Sequence, residues 1–86
     1  MKSKYKYISF EEFDKAPDGH SRFMCVGSKW NITIGFVVWY HKWNQYCFEP
    51  QKETIFSSDC LADIQHFLNQ VNLKNPQSAS AKTIAI

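Results

Sequence analysis

Apolar and polar positions change period along this chain, and each change marks an element. From Arg22 to Gly27 they alternate, Phe23 and Cys25 against Arg22 and Met24, which predicts a strand. Ser28-Lys29-Trp30-Asn31 reads as a turn. Ile32 to Tyr40 is β-branched and aromatic almost throughout, as a central strand buried on both faces should be. On it, Ile32, Ile34, Phe36, Val38 and Tyr40 share one parity. Thr33, Gly35, Val37, Trp39 and His41 share the other. Gly35 leaves room for a close neighbour or a bend. A third strand is expected over Asn44 to Glu49, ended by Pro50, with a short edge strand over Thr54 to Phe56.

The connection between the second and third strands sets which faces meet. A three-residue loop, His41-Lys42-Trp43, pairs Tyr40 with Asn44, Val38 with Tyr46 and Phe36 with Phe48. It is preferred because it gathers Phe36, Val38, Tyr40, Tyr46 and Phe48 on one face. A loop of two or four residues shifts the parity and scatters them. With the three-residue loop, Val37, Trp39 and Cys47 stay partly exposed on the other face.

Beyond Phe56 the period becomes helical. Ser57 is the N-cap, and Asp59 in the first turn suits the helix dipole. Phe56 and Leu61 are spaced as a hydrophobic staple. Leu61, Ile64, Phe67, Leu68 and Val71 form the apolar stripe, and Asp63, Gln65, His66, Asn69 and Gln70 cover the rest. Lys74 lies near the end and Pro76 stops the helix.

At the N-terminus, Lys2, Lys4 and Lys6 alternate with Tyr5 and Tyr7, as a short edge strand with a charged outer face would. Ser9-Phe10-Glu11-Glu12 fits a capping box and predicts a short helix over Phe10 to Lys15. Pro17-Asp18-Gly19 ends it in a turn. The expected fold class is α+β: an antiparallel β-meander of three to four strands with one C-terminal helix packed on one face. A single domain is expected over residues 1–76, with an N-terminal extension at 1–19 and a core at 20–74. Residues 77–86 read as a flexible tail.

Length changes how the aromatics are read. A chain of 86 residues buries only about 60–65% of its unfolded surface, so its core margin is thin. Seven Phe, four Tyr and three Trp supply large buried area per residue, so part of this richness is structural. Half of them fall between Trp30 and Phe48, which makes that run both the core and the candidate binding surface. The net charge of +2 and pI near 8.5 fall short of the basic excess usual for gripping a phosphate backbone. No apolar h-region follows the first lysines, and no stretch is long enough to span a bilayer. Three cysteines cannot all pair within one chain. A reduced, soluble, cytoplasmic protein is expected.

The chemistry-bearing residues are sparse. No two of Cys25, Cys47, Cys60, His20, His41 and His66 have zinc-site spacing, and no cofactor or metal is expected. His41 and Cys47 lie near opposite ends of one hairpin, and His66 is offset from Cys60 on the helix, so neither pair makes a nucleophile with its base. Glu11 and Glu12 are better explained by capping than by acid–base work. The three glycines stand alone, so no phosphate loop is present. The protein is therefore not expected to be an enzyme.

The pattern Ile34-Gly35-x-Val37-x-Trp39-Tyr40-x-x-Trp43-x-Gln45-Tyr46-Cys47-Phe48-x-Pro50, followed by Thr54-x-Phe56 and Cys60-Leu61-x-Asp63-Ile64-x-x-Phe67-Leu68, resembles a family of small proteins encoded by phages and prophages. The likeness runs from Phe23 to Leu68. Where that family commonly carries a base, this chain has Asn44, which removes a charge favouring an anionic ligand at the hairpin tip. The resemblance brings no catalytic residue. It implies an accessory factor that binds and blocks a host machine or defence system, as anti-CRISPR and other anti-defence inhibitors do.

The expected function is accordingly capture of a host protein by Trp39, His41, Lys42 and Trp43 at the hairpin, with Tyr5 and Tyr7 at the N-terminus. Trp and Tyr beside cations are usual interface anchors. The alternative is a single-stranded nucleic-acid or nucleotide binder, whose bases stack on the same aromatics while lysines meet phosphates. Lys29 and Trp30 form a second such pair at the opposite end of the strand. The uncovered sheet face also suits a homodimer, and no membrane partner is expected.

Overall fold

The computed structural model describes residues 1–75, 77 and 78. Its strands are β1 (Ile8–Lys15), β2 (Ser21–Gly27), β3 (Ile32–Tyr40) and β4 (Gln45–Pro50), and its helix is α1 (Ser58–Lys74). The strands form one antiparallel sheet in the order β1-β2-β3-β4, and α1 packs across one face. This is the expected α+β meander.

The predicted strands β2 and β3 and the helix lie where their periodicity placed them. The Ser57 hydroxyl accepts the Cys60 N–H at 3.2 Å, as an N-cap should. Ile64, Phe67 and Val71 are buried. Leu61 departs from the stripe and is 52% exposed. Phe56 packs edge-on against Phe48 at 5.5 Å.

The expected helix over Phe10 to Lys15 is instead strand β1. Six residues are too few to nucleate a helix without an apolar stripe. As a strand, Ile8 and Phe10 enter the core and the backbone pairs with β2. Glu11 and Glu12 therefore do not cap a helix. The expected edge strand at Lys2 to Tyr7 reduces to a Lys4–Ser9 bridge. The Tyr5 N–H donates to the Ile8 carbonyl, and the Phe10 N–H donates to the Ser3 carbonyl. The segment thus folds back along the outer edge of β1. Thr54 to Phe56 is not a strand; the Thr54 hydroxyl closes a turn on the Gln51 carbonyl at 2.8 Å.

The β3–β4 loop has four residues, because Tyr40 pairs with Gln45. Trp39 then faces Tyr46, Val38 faces Cys47 and Val37 faces Phe48. From Phe36 to Trp39 the side chains of β3 are on the faces opposite to those expected, while Ile34 still packs against the core. The helix covers Gly35, Val37, Trp39, Tyr46 and Phe48, and Val37 is fully buried. Phe36, Val38, Tyr40 and Cys47 lie on the outer face instead. The cause is local. Asn44 adopts φ 54°, a left-handed conformation that Asn tolerates, and this completes a one-turn loop closed by Trp43 and Asn44 N–H donors.

The core joins Ile8, Phe10, Cys25, Val37 and Tyr46 to the helix residues Ile64, Phe67 and Val71. Phe67 is fully buried, stacked on Phe10 at 4.1 Å and met edge-on by Phe23 at 5.2 Å. Each such side chain contributes about 1.5–3 kcal/mol of transfer free energy.

Candidate interaction surface

The helix leaves the opposite face of the sheet uncovered. One row crosses all four strands there: Glu11, Met24, Phe36 and Glu49. Its centre is apolar and a carboxylate stands at each end. Beside this row, Phe13 packs on Phe36 with centroids 5.6 Å apart. Arg22 lies over the Phe13 ring at 5.6 Å and forks onto the Asp14 carboxylate, donating from Nε at 2.6 Å. That pairing holds the Asp14 carboxyl below its ordinary value. The arginine is therefore already neutralised, whereas the acidic ends of the row have no ion-pair partner among the described residues.

Towards the β3–β4 loop, Val38, Tyr40, Trp43, Cys47, Glu49 and Pro50 surround a depression of about 250 Å³. A dry cavity of about 150 Å³ is enough for benzene, so this one has room for an aromatic or branched side chain. Trp43 stands at its rim, 62% exposed, held edge-on by Tyr40 at 4.9 Å.

The six residues singled out from the sequence are not one cluster. Trp43 belongs to the outer depression. Trp39 lies on the helix side of the sheet, stacked on His20 at 4.1 Å and edge-on to Tyr46 at 5.4 Å. Val37 and Trp39, expected to remain uncovered with Cys47, are thus packed, and only Cys47 of the three is on the open face. His41 is exposed, and its Nε2 sits 2.9 Å from Asp18 Oδ2. Lys42 is exposed at the loop tip. Tyr5 is tied inward, with its hydroxyl 2.8 Å from His66 Nδ1 and its ring edge-on to Phe10. Tyr7 is exposed at the far end of the molecule, near the β2–β3 loop. Met24, Phe36 and Phe13 were missed because their face follows from the hairpin register and, for Phe13, from a bulge in β1.

The titratable groups make packing contacts. Burial pushes the Cys25 thiol up to about 12, with Cys60 adding to it, so Cys25 stays a protonated core residue. Burial also raises the Cys47 thiol. Asp18 sits between two imidazoles. Its Oδ1 accepts the His20 backbone N–H at 2.9 Å, and this bond is the main cause of its lowered pKa. His20 Nδ1 lies 3.1 Å from the same oxygen, but the ring geometry makes no hydrogen bond of it. The cluster fastens the Pro17–Gly19 turn to the β3–β4 loop. Among the described residues no group of three or more His, Cys, Asp or Glu is placed to hold a metal ion, and no helix is long and apolar enough to cross a membrane.

Comparison with protein-family models, with curated proteins and with solved structures finds no match to this chain.

Proposed function

We propose that this chain is a non-enzymatic binding module that docks a partner protein on the sheet face opposite the helix. In the phage or prophage setting that the sequence resemblance implies, docking would cover a working surface of a host protein in the cytoplasm. The observation that carries this reading is the Glu11–Met24–Phe36–Glu49 row with the Trp43 depression beside it. An apolar centre with a charged rim is the usual anatomy of a protein interface. Trp43 and Tyr40 are anchor-type residues beside a ready-made depression. The partner should present apolar side chains with bases around them, since the carboxylates of Glu11 and Glu49 stand unpaired by Arg22.

The sheet edges are partly covered. The N-terminal segment lies along β1, and the Asn72 side chain binds the open edge of β4 at Tyr46. Pro50 has no N–H to offer a further strand.

The test is affinity capture from host lysate after nuclease treatment, repeated with Trp43→Ala and Phe36→Arg. Both should still fold, because Trp43 is largely exposed and Phe36 points away from the helix. Each should weaken capture by roughly 30-fold or more, the scale of an interface hot spot. Undiminished capture by both variants would remove the face from consideration. Sedimentation of the purified chain separates a foreign partner from a second copy, because a homodimer closed by this face would dissociate on Phe36→Arg.

A further inference from the structure

A second groove lies at the other end of the sheet, between the N-terminal segment and the β2–β3 loop. Tyr7, Gly27, Trp30, Ile32 and Ile34 form its apolar wall, and its volume is about 530 Å³. That falls within the range of small-ligand clefts, roughly 300–1,000 Å³. Trp30 is 72% exposed, and with exposed Ile32 and Tyr7 beside it in the groove it forms a contiguous apolar patch of the kind that marks an interaction site. The Ser28 N–H donates to the Tyr7 carbonyl at 2.8 Å and fixes the two walls together. Lys6 lies over the Tyr7 ring at 5.2 Å, and Lys29 lies over the Trp30 ring at 5.2 Å. Among the described residues, no carboxylate lines the groove.

We propose that this groove binds single-stranded nucleic acid. The two lysine–aromatic pairs each suit one nucleotide, with the base on the ring and the adjoining phosphate at the ammonium. Stacking of this kind tolerates any base, because every base has a π-face. Charge separates this end from the β3–β4 loop, where an exposed Trp and Lys also occur. There, Asp18 holds His41 and Glu49 lines the depression, so a phosphate would meet carboxylates. The site is independent of the face proposed for the protein partner.

Fluorescence anisotropy with a labelled eight-nucleotide oligothymidylate tests this. Binding should saturate, and its logarithm should fall with the logarithm of salt with a slope of roughly −1.4, about −0.7 for each of two phosphate contacts. Trp30→Ala should weaken binding roughly 5- to 150-fold. Lys6→Ala and Lys29→Ala should each lower the slope by about 0.7. Circular dichroism shows whether the variants remain folded, and Trp30→Tyr should restore part of the affinity because it restores a ring. Absence of saturable binding at millimolar protein overturns the proposal. So does thymidine monophosphate displacing the oligonucleotide at equal concentration, since a strand should engage both pairs. Oligonucleotide affinity that survives Trp30→Ala, with partner-protein capture lost, would assign the groove to the protein and also overturn it.

Discussion

A Cβ at Gly35 would collide with the Phe48 ring and lie 2.9 Å from the Glu49 carbonyl oxygen. The ring could turn aside, but the carbonyl belongs to β4 backbone and cannot. Gly35→Ala should therefore destabilise the domain by about 1–3 kcal/mol, the range for overpacking a filled core. Chemical denaturation would measure it, and a loss under about 0.5 kcal/mol would mean that β4 shifts more easily than its pairing suggests. The sequence marked Gly35 as a place of close approach but not its neighbour, because Phe48 reaches it only in the register set by the four-residue loop. Asn44 carried that information. Lys42-Trp43-Asn44 repeats Lys29-Trp30-Asn31, and both asparagines take left-handed φ, 54° and 52°, at the end of four-residue loops. The repeated string was a legible signal for one loop type used twice.

At the scale of elements, two helix side chains stand in for strands. Asn72 is buried, accepts the Tyr46 N–H at 2.7 Å and donates to the Tyr46 carbonyl at 3.2 Å. It thus pairs with the edge of β4 as another peptide would. Its oxygen also accepts the buried Ser78 hydroxyl at 3.0 Å. Gln70 makes the same two-bond clasp on Lys2, at 2.8 and 2.7 Å, and holds the N-terminal segment down. Residues 77 and 78 were expected to begin a flexible tail, yet Ser78 is fully buried and the Gln77 carbonyl accepts from Asn44 at 2.9 Å. The remainder of that expected tail, 79–86, lies outside the described residues. Asn72→Leu should cost about 1–3 kcal/mol, because it leaves the buried Tyr46 N–H without a partner. Thermal unfolding would show the loss, and analytical sedimentation should show more self-association once the edge is open. A variant as stable and as monodisperse as the parent would refute the sealing role.

Taken whole, the molecule is a meander whose far ends must be tied together, and Asp18 makes one tie. It joins the β1–β2 turn to the β3–β4 loop through His41 and to β2 through the His20 backbone. Its carboxyl is lowered from an ordinary 3.8. A depressed carboxylate contributes stability that is complete above its unfolded pKa and is lost as pH falls through the folded one. Asp18→Asn should therefore be less stable than the parent near neutrality, and the gap should close below about pH 3.8. Denaturation midpoints compared at pH 7 and in acid would check the sign. A gap that persists in acid would point to lost hydrogen-bond shape rather than lost charge.

The sequence alone determined β2, β3, β4 and α1, though not that Thr54 to Phe56 forms no strand, because strand and helix periods are local and burial repeats them every second or every third to fourth residue. It determined the α+β meander for the same reason, since short loops leave antiparallel neighbours little choice. Only the tertiary structure decided which face of β3 meets the helix, because one added loop residue inverts every side chain without altering the pattern. Only it decided that Ile8–Lys15 is a strand, because β2 supplies backbone partners that a capping motif cannot anticipate. Where the surface lies follows from both decisions. An exposed Trp43 and a packed Trp39 look alike along the chain, and they differ because one stands in the loop beside the open face and the other on the strand face that packs against the core.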